Sequence, residues 1–134
     1  MKIICISGYA QSGKDTTGKL IKRHLEERGN KVLITHYADL LKYICKMFFC
    51  WNGEKDIYGR TLLQQVGQTV REKTDGNYWV DSLISIIKLF LDEWEYVIIP
   101  DVRYENEISK LKDEFDVTTV RIERPNFDNG MTDE

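Results

Sequence analysis

The most informative chemical feature of this 134-residue sequence is a short glycine-containing segment near its start. Two glycines and a lysine follow the spacing GxxxxGK in Gly8-Tyr9-Ala10-Gln11-Ser12-Gly13-Lys14. The glycines allow a backbone path that points successive N–H groups inward, and a helix that begins here adds partial positive charge. We therefore predict a site for a chain of phosphates, with Lys14 reaching the outer phosphates and a cradle formed by Gly8, Ser12 and Gly13.

The residues after the lysine depart from the usual pattern. A Ser or Thr that would ligate Mg²⁺ is replaced by Asp15, and Thr16 follows with a hydroxyl that can donate to a phosphate oxygen. A bare carboxylate ~4 Å from a phosphate charge would cost about 4 kcal/mol at an effective dielectric of about 20. Asp15 is therefore expected to approach the metal or its waters, or to be an acid favoured in a first helical turn.

A second acid follows an apolar run at residues 96–100. It is Asp101, and Arg103 comes two residues later. In an open parallel sheet this position lies at the carboxyl edge, where ligands bind. We predict that Asp101 holds Mg²⁺ directly or through water and that Arg103 neutralises phosphate charge, with a capped turn as the alternative. Arg124 is predicted to leave the last strand at the same edge.

Polar residues in the middle of the chain could bind a second substrate. Gln64, Gln68 and Arg71 recur on one face of a predicted helix, which suits reading a base edge and gripping a phosphate. The spacing fits equally well a solvent-exposed helix face that has no binding role. Lys42 is either a further phosphate contact or a surface lysine, and Trp79 either stacks on a base or packs in the core.

Four β-rich runs must position these residues, at 2–7, 31–36, 96–100 and 117–122. Helical patterns lie between them, including 16–28 and 40–49, the latter with Asp39 as a possible N-cap. This alternation predicts an α/β fold with an open, three-layer parallel sheet of four strands. We expect a single domain over residues 1–134. Residues 37–95 are too long for one crossover and should form a substrate-binding insertion of about three helices.

Composition restricts the class of protein. The formal net charge is −3, but residues 1–50 carry nine basic and four acidic side chains, so an anion site is expected in that part. This balance argues against a strongly basic nucleic-acid-binding domain. Three cysteines without a CxxC pair favour a reducing, cytoplasmic setting. No apolar run approaches the roughly 20 residues that span a membrane, so no membrane partner is expected. A homodimer is left open.

Several segments together resemble the deoxynucleoside monophosphate kinases of bacteriophages, within the P-loop nucleoside monophosphate kinase superfamily. They are GYAQSGKDT, YADLLKYICKMF, LLQQVGQTVREKTDGNYWVDSL, VIIPDVRYENEI and VRIERPN, in this order. The resemblance implies a P-loop NTPase fold, ATP as phosphoryl donor, Mg²⁺, and a deoxynucleoside monophosphate as acceptor. Animal phosphomevalonate kinases share a similar GKD loop, so a non-nucleotide phosphate acceptor is the alternative.

The resemblance also implies roles for individual residues. Lys14 and Thr16 would bind ATP phosphates, and Asp101 and Arg103 would lie between donor and acceptor. Arg124 would begin a lid that continues through residues 125–134. The acceptor site would be lined by Asp39, Lys42, Gln68 and Arg71. Family members continue into a last strand and helix that this sequence does not match, so a non-catalytic nucleotide-binding remnant is a further alternative.

Overall fold

Strands and helices alternate through the parts of the chain that the computed structural model describes, residues 1–8 and 13–123. The strands are β1 (Lys2–Gly8), β2 (Val32–Ile34), β3 (Tyr96–Ile99) and β4 (Asp116–Ile122). The helices are α1 (Lys14–Glu27), α2 (Tyr37–Phe48), α3 (Ile57–Lys73), α4 (Tyr78–Leu89) and α5 (Glu105–Glu114). Within the described ranges, no helix is both long and apolar enough to cross a bilayer.

The four strands form one parallel sheet in the order β2-β3-β1-β4. Lys2 of β1 is in register with Tyr96 of β3 on one side and with Asp116 of β4 on the other. Because β1 and β3 are parallel neighbours, the segments that follow them leave the sheet at the same edge. The predicted α/β class and parallel sheet are thereby confirmed.

Helices cover both faces of this sheet, which gives three layers. On one face, α1 approaches closely at Gly18, where an added Cβ would lie 3.5 Å from Ile98 and 3.7 Å from Ile6. On the other face, a larger core joins strand residues to α4 and α5, including Val80, Ile87 and Leu111. Each such fully buried aliphatic side chain contributes about 1.5–3 kcal/mol relative to exposure.

The segment between β2 and β3 contains three helices, α2, α3 and α4, as the sequence predicted. The predicted start of α2 was wrong, because the helix begins at Tyr37 with His36 as its N-cap. The amide of His36 donates to Asp39 Oδ2 over 3.1 Å, so Asp39 lies in the first turn. An acid three residues after the N-cap stabilises the start of a helix in this way.

Candidate functional site

The start of α1 has features that suit the binding of an anion. Gly13 has φ of 98° and ψ of 20°, the left-handed region that glycine adopts without strain. No side chain among the described residues caps the first turn of α1. Lys14 Nζ donates to the Gly8 carbonyl over 3.0 Å, which keeps the ammonium group beside the carboxyl end of β1. These features fit the binding of a phosphate chain.

The Asp15 side chain contacts His36, the N-cap of α2. Its Oδ1 accepts a hydrogen bond from His36 Nε2 over 2.8 Å, although the Asp15 side chain is 69% exposed. The other ring nitrogen of His36 lies 3.7 Å from Asp39 Oδ2. The imidazole therefore joins the first turn of α1 to the first turn of α2. Thr16, on the next position of α1, is exposed.

Asp101 emerges just beyond β3 and is engaged by the start of α2. Its Oδ1 accepts the amide of Tyr37 over 2.9 Å, and its Oδ2 accepts the amide of Ala38 over 3.0 Å. Burial raises the pKa of Asp101, while the hydrogen bonds from Ala38 and Tyr37 and the charges of His36 and Arg103 oppose that rise. Asp101 thus anchors α2 to the carboxyl edge of the sheet.

Arg103 is exposed, and its backbone is fixed by Glu107. Glu107 Oε1 accepts the amides of Arg103 over 2.8 Å and of Tyr104 over 2.9 Å. The Glu107 side chain is buried, and burial raises its pKa, with a further contribution from the charge of Asp101. This buried carboxylate holds the loop after β3 against the start of α5.

Arg71 is held in a polar cluster at the ends of three helices. Its guanidinium donates to the Gly76 carbonyl and to Asn106 Oδ1, each over 3.2 Å. It also stacks on the ring of Tyr104, with its central carbon 3.4 Å from the ring centroid. Asn106 Nδ2 donates to the same Gly76 carbonyl over 2.7 Å. The cluster ties α3 to the loops that precede α4 and α5.

The remaining predicted acceptor residues lie in different environments. Gln64 and Gln68 are exposed, and Gln68 Nε2 donates to Glu72 over 3.2 Å. Trp79 is only 9% exposed within the main core, and its Nε1 donates to the Gly67 carbonyl over 3.3 Å. This burial favours the packing alternative for Trp79. Lys42 is half-buried on α2.

Some of the residues present could take part in binding Mg²⁺. The described residues contain no group of three or more His, Cys, Asp or Glu side chains that would hold a metal alone. Mg²⁺ that accompanies a nucleotide needs only one or two carboxylates, because phosphates and waters supply the other ligands. Asp15 and Asp101 have the right chemistry, but both already accept hydrogen bonds. Their metal-binding role stays a prediction.

Three predicted features lie outside the described residues. They are Ser12 in the phosphate loop, Arg124 after β4, and the lid segment at 125–134.

Sequence reasoning missed His36 and Glu107. Each belongs to a helix start in which an acid follows the N-cap residue by three positions. The pairs are His36 with Asp39 and Tyr104 with Glu107, and this spacing is visible in the sequence. The contact of His36 with Asp15 spans 21 positions, so no local pattern predicts it.

No protein-family model matches the sequence, and no curated protein matches it significantly. Solved structures do match the fold. A cysteine-to-alanine mutant of the APS kinase CysC of Mycobacterium tuberculosis is 15% identical, with a TM-score of 0.53. That match covers 94% of this chain and 80% of the other. A crystal structure described as that of APE1195 is 13% identical, with a TM-score of 0.52, and the match covers 91% of this chain and 60% of that one.

At these identities the likeness establishes the fold alone. The chain shares its α/β fold with this APS kinase, and the parallel sheet predicted from the alternation of strands and helices is confirmed. The narrower resemblance to the bacteriophage enzymes stays a prediction.

Proposed function

We propose that this chain is a P-loop kinase that transfers the γ-phosphoryl group of ATP to the phosphate of a nucleoside monophosphate. The observation that carries the proposal is the left-handed turn at Gly13 before α1, with the Lys14 ammonium group held beside the carboxyl end of β1. The fold shared with an APS kinase supports the reaction class, and the sequence resemblance supports the acceptor.

The donor site is proposed at the junction of β1 and α1. The first-turn amides of α1 and the Lys14 ammonium group supply positive charge where ATP phosphates would lie. Gly8, Ser12, Gly13 and Thr16 complete this proposed cradle. Bound Mg²⁺ would neutralise phosphate charge, with Asp15 and Asp101 as its candidate protein ligands, directly or through water.

The acceptor site is proposed on residues 37–95. Asp101 fixes the start of α2 at the carboxyl edge of β3, so the helical segment begins beside the donor site. The proposed acceptor residues are Asp39, Lys42, Gln64, Gln68 and Arg71. Arg71 would act by ordering its helix ends as well as by its charge, because its guanidinium is already held by Gly76, Asn106 and Tyr104.

The proposed chemistry needs alignment more than proton transfer. The phosphate of the acceptor is ionised at neutral pH, so no strong general base is required. Lys14, Arg103 and Arg124 would stabilise the charge on the transferring group, and the two helical starts would hold donor and acceptor in line.

A coupled assay of ADP release tests the proposal. Purified protein with ATP and Mg²⁺ is offered each deoxynucleoside and ribonucleoside monophosphate, phosphomevalonate, and APS. We expect turnover with at least one nucleoside monophosphate. Lys14→Ala should reduce kcat by about 10²–10³-fold, the usual loss when one transition-state donor is removed. Lys19→Ala, on an exposed position of the same helix, is the matched control and should retain activity.

The other outcomes are equally informative. Turnover only with phosphomevalonate or APS would replace the acceptor while keeping the reaction class. Binding of ATP without transfer to any acceptor would favour the non-catalytic alternative. Wild-type rates in a folded Lys14→Ala variant would overturn the assigned role of the loop.

A further inference from the structure

The guanidinium group of Arg71 is enclosed on both of its faces. The ring of Tyr104 lies against one face, with the central carbon of Arg71 3.4 Å from the ring centroid. At Gly76, an added Cβ would lie 2.9 Å from both Cζ and Nη2 of Arg71 and 3.2 Å from Nη1. A point so nearly equidistant from these three atoms lies over the plane of the group. Because the Tyr104 ring occupies one side of that plane, the Gly76 backbone occupies the other, and the two contacts fix the plane of the guanidinium.

Hydrogen bonds fix the direction of the group within that plane. Nη1 donates to the Gly76 carbonyl and Nη2 donates to Asn106 Oδ1, each over 3.2 Å. Asn106 is itself held, because its Nδ2 donates to the same carbonyl over 2.7 Å and to Asn77 Oδ1 over 3.4 Å. Gly76 has φ of 77°, a conformation that places its carbonyl here without the strain that a side chain would add. Stacking and hydrogen bonding therefore hold Arg71 in one orientation before any ligand binds.

Neutral groups hold this cation. Among the described residues, no carboxylate oxygen lies within 4.0 Å of the Arg71 guanidinium. Glu107, the buried acid of α5, instead directs its Oε1 to the amides of Arg103 and Tyr104. Two of the five N–H groups of Arg71 donate to described residues, which leaves Nε and one hydrogen on each terminal nitrogen. Arginine binds phosphate most strongly through two parallel N–H groups, and Arg71 keeps enough of them for that contact.

Tyr104 and Asn106 bring Arg71 to the edge of the sheet where ligands bind. Both follow β3 closely, since Tyr104 ends the loop that carries Asp101 and Arg103, and Asn106 lies in the first turn of α5. In an open parallel sheet, ligands bind outside the carboxyl ends of the strands. Arg71 belongs to the last turn of α3, a helix that does not contribute to this edge by itself. The contacts with Tyr104 and Asn106 therefore join a cation of the helical segment to the loop beside the proposed donor site.

We propose that Tyr104 and Asn106 are positioning residues that hold Arg71 in the orientation in which its remaining N–H groups bind the phosphate of the acceptor. This inference rests on the proposed function and adds two residues that neither the sequence motifs nor the resemblance assigned. Neither residue has to touch the acceptor. Their contribution is preorganisation, because the freedom of the long Arg71 side chain is already lost in the folded protein and phosphate binding does not have to offset that loss.

Equilibrium binding tests this role without relying on turnover. Calorimetry measures affinity for deoxynucleoside monophosphates and for a non-hydrolysable ATP analogue with Mg²⁺. Tyr104→Leu removes the stacked aromatic face, and Asn106→Ala removes one acceptor of the Arg71 hydrogen bonds. Each should weaken monophosphate binding about three- to tenfold, the usual cost of immobilising one long side chain on binding. Affinity for the ATP analogue should stay within about twofold, because the proposed donor site lies on β1 and α1.

A double-mutant cycle separates positioning from a general structural effect. Arg71→Gln should weaken monophosphate binding about tenfold or more, since it removes a charge-assisted contact. Adding Tyr104→Leu or Asn106→Ala to Arg71→Gln should then change the affinity by less than about twofold, because no guanidinium is left to position. Tyr104→Phe keeps the aromatic face and should retain the affinity of the wild type. Tyr58→Leu, at a tyrosine of α3 that is 63% exposed, is the matched control, and thermal unfolding checks the fold of every variant.

The outcomes distinguish this inference from the proposed function. Unchanged monophosphate affinity in folded Tyr104→Leu and Asn106→Ala would overturn the inference even if the wild type is an active kinase. The same loss in the presence and absence of Arg71 would show that the two residues do not act through it, and would also overturn the inference. A wild type that binds no monophosphate would refute the inference and the proposed acceptor together. A selective, Arg71-dependent loss in a chain that transfers no phosphoryl group would support the inference and refute the kinase.

Discussion

Replacing Asp101 separates its anchoring role from its predicted role as a metal ligand. Asp101→Ala removes the acceptor of two backbone hydrogen bonds, from Tyr37 and Ala38, which hold α2 on the carboxyl edge of β3. Asp101→Asn keeps one oxygen acceptor but places an amide NH₂ against the second backbone donor. We expect both variants to lose stability, the alanine variant more than the asparagine variant.

The size of the effect follows from these contacts. A hydrogen bond to a charged group contributes about 1.5–3 kcal/mol net. Burial raises the pKa of Asp101, which means that the ionised carboxylate carries a desolvation cost. Removing the carboxylate relieves this cost, so each lost hydrogen bond is assigned the low end of the range of about 1.5–3 kcal/mol. We therefore expect Asp101→Ala to lose about 3 kcal/mol and Asp101→Asn about 1.5 kcal/mol of unfolding free energy. For a domain of this size these values correspond to roughly 12 °C and 6 °C in Tm.

Urea unfolding, followed by tryptophan fluorescence and far-UV circular dichroism in metal-free buffer, measures this effect. Asp113→Ala, at an exposed acid on α5, is the control and should stay within about 0.5 kcal/mol of the wild type. If Asp101→Ala unfolds within about 0.5 kcal/mol of the wild type, the anchoring role is refuted. A loss of stability seen only with Mg²⁺ and nucleotide present would indicate that Asp101 acts mainly through the metal.

Two further predictions concern buried ionisable groups. Burial raises the pKa of Glu107, so the stability that this group contributes is fully present below pH 4.5 and is lost as pH rises through its folded-state pKa. The unfolding free energy of Glu107→Gln should therefore increase relative to that of the wild type between pH 4.5 and neutral pH. Urea unfolding across that range measures the difference. A flat difference would contradict the assignment. Burial raises the pKa of Cys5 to about 12 and also raises that of Cys45, whereas Cys50 is exposed. Mass spectrometry after brief alkylation of the native protein should find Cys50 modified first, and rapid labelling of Cys5 would argue against its burial.

The sheet and the phosphate loop were predictable because their signals are local. The nearly continuous apolar runs of β1 and β3 indicate strands that are covered on both faces, and such strands occur in parallel sheets. The GxxxxGK spacing requires only that a strand precede it and a helix follow it, as they do here. The long interval between β2 and β3 likewise required helices. Helix starts were less accurate, since Asp39 resembles an N-cap in the sequence while His36 takes that position.

Contacts between distant segments were decided by the tertiary structure. Asp101 meets the amides of α2 across more than 60 positions, and the pairing depends on β3 ending beside the start of that helix. Arg71 was predicted from its helical face alone, yet its guanidinium is fixed by Asn106, 35 positions away.

The sequence by itself therefore determined the class of fold and the location of the phosphate loop. Both depend on local signals, because residues close together in the sequence favour a backbone conformation and show whether a strand is buried. Only the folded chain determined which charges share a site. Side chains from separate elements approach one another only after the sheet has fixed where each helix begins, as Asp101 and the start of α2 do here.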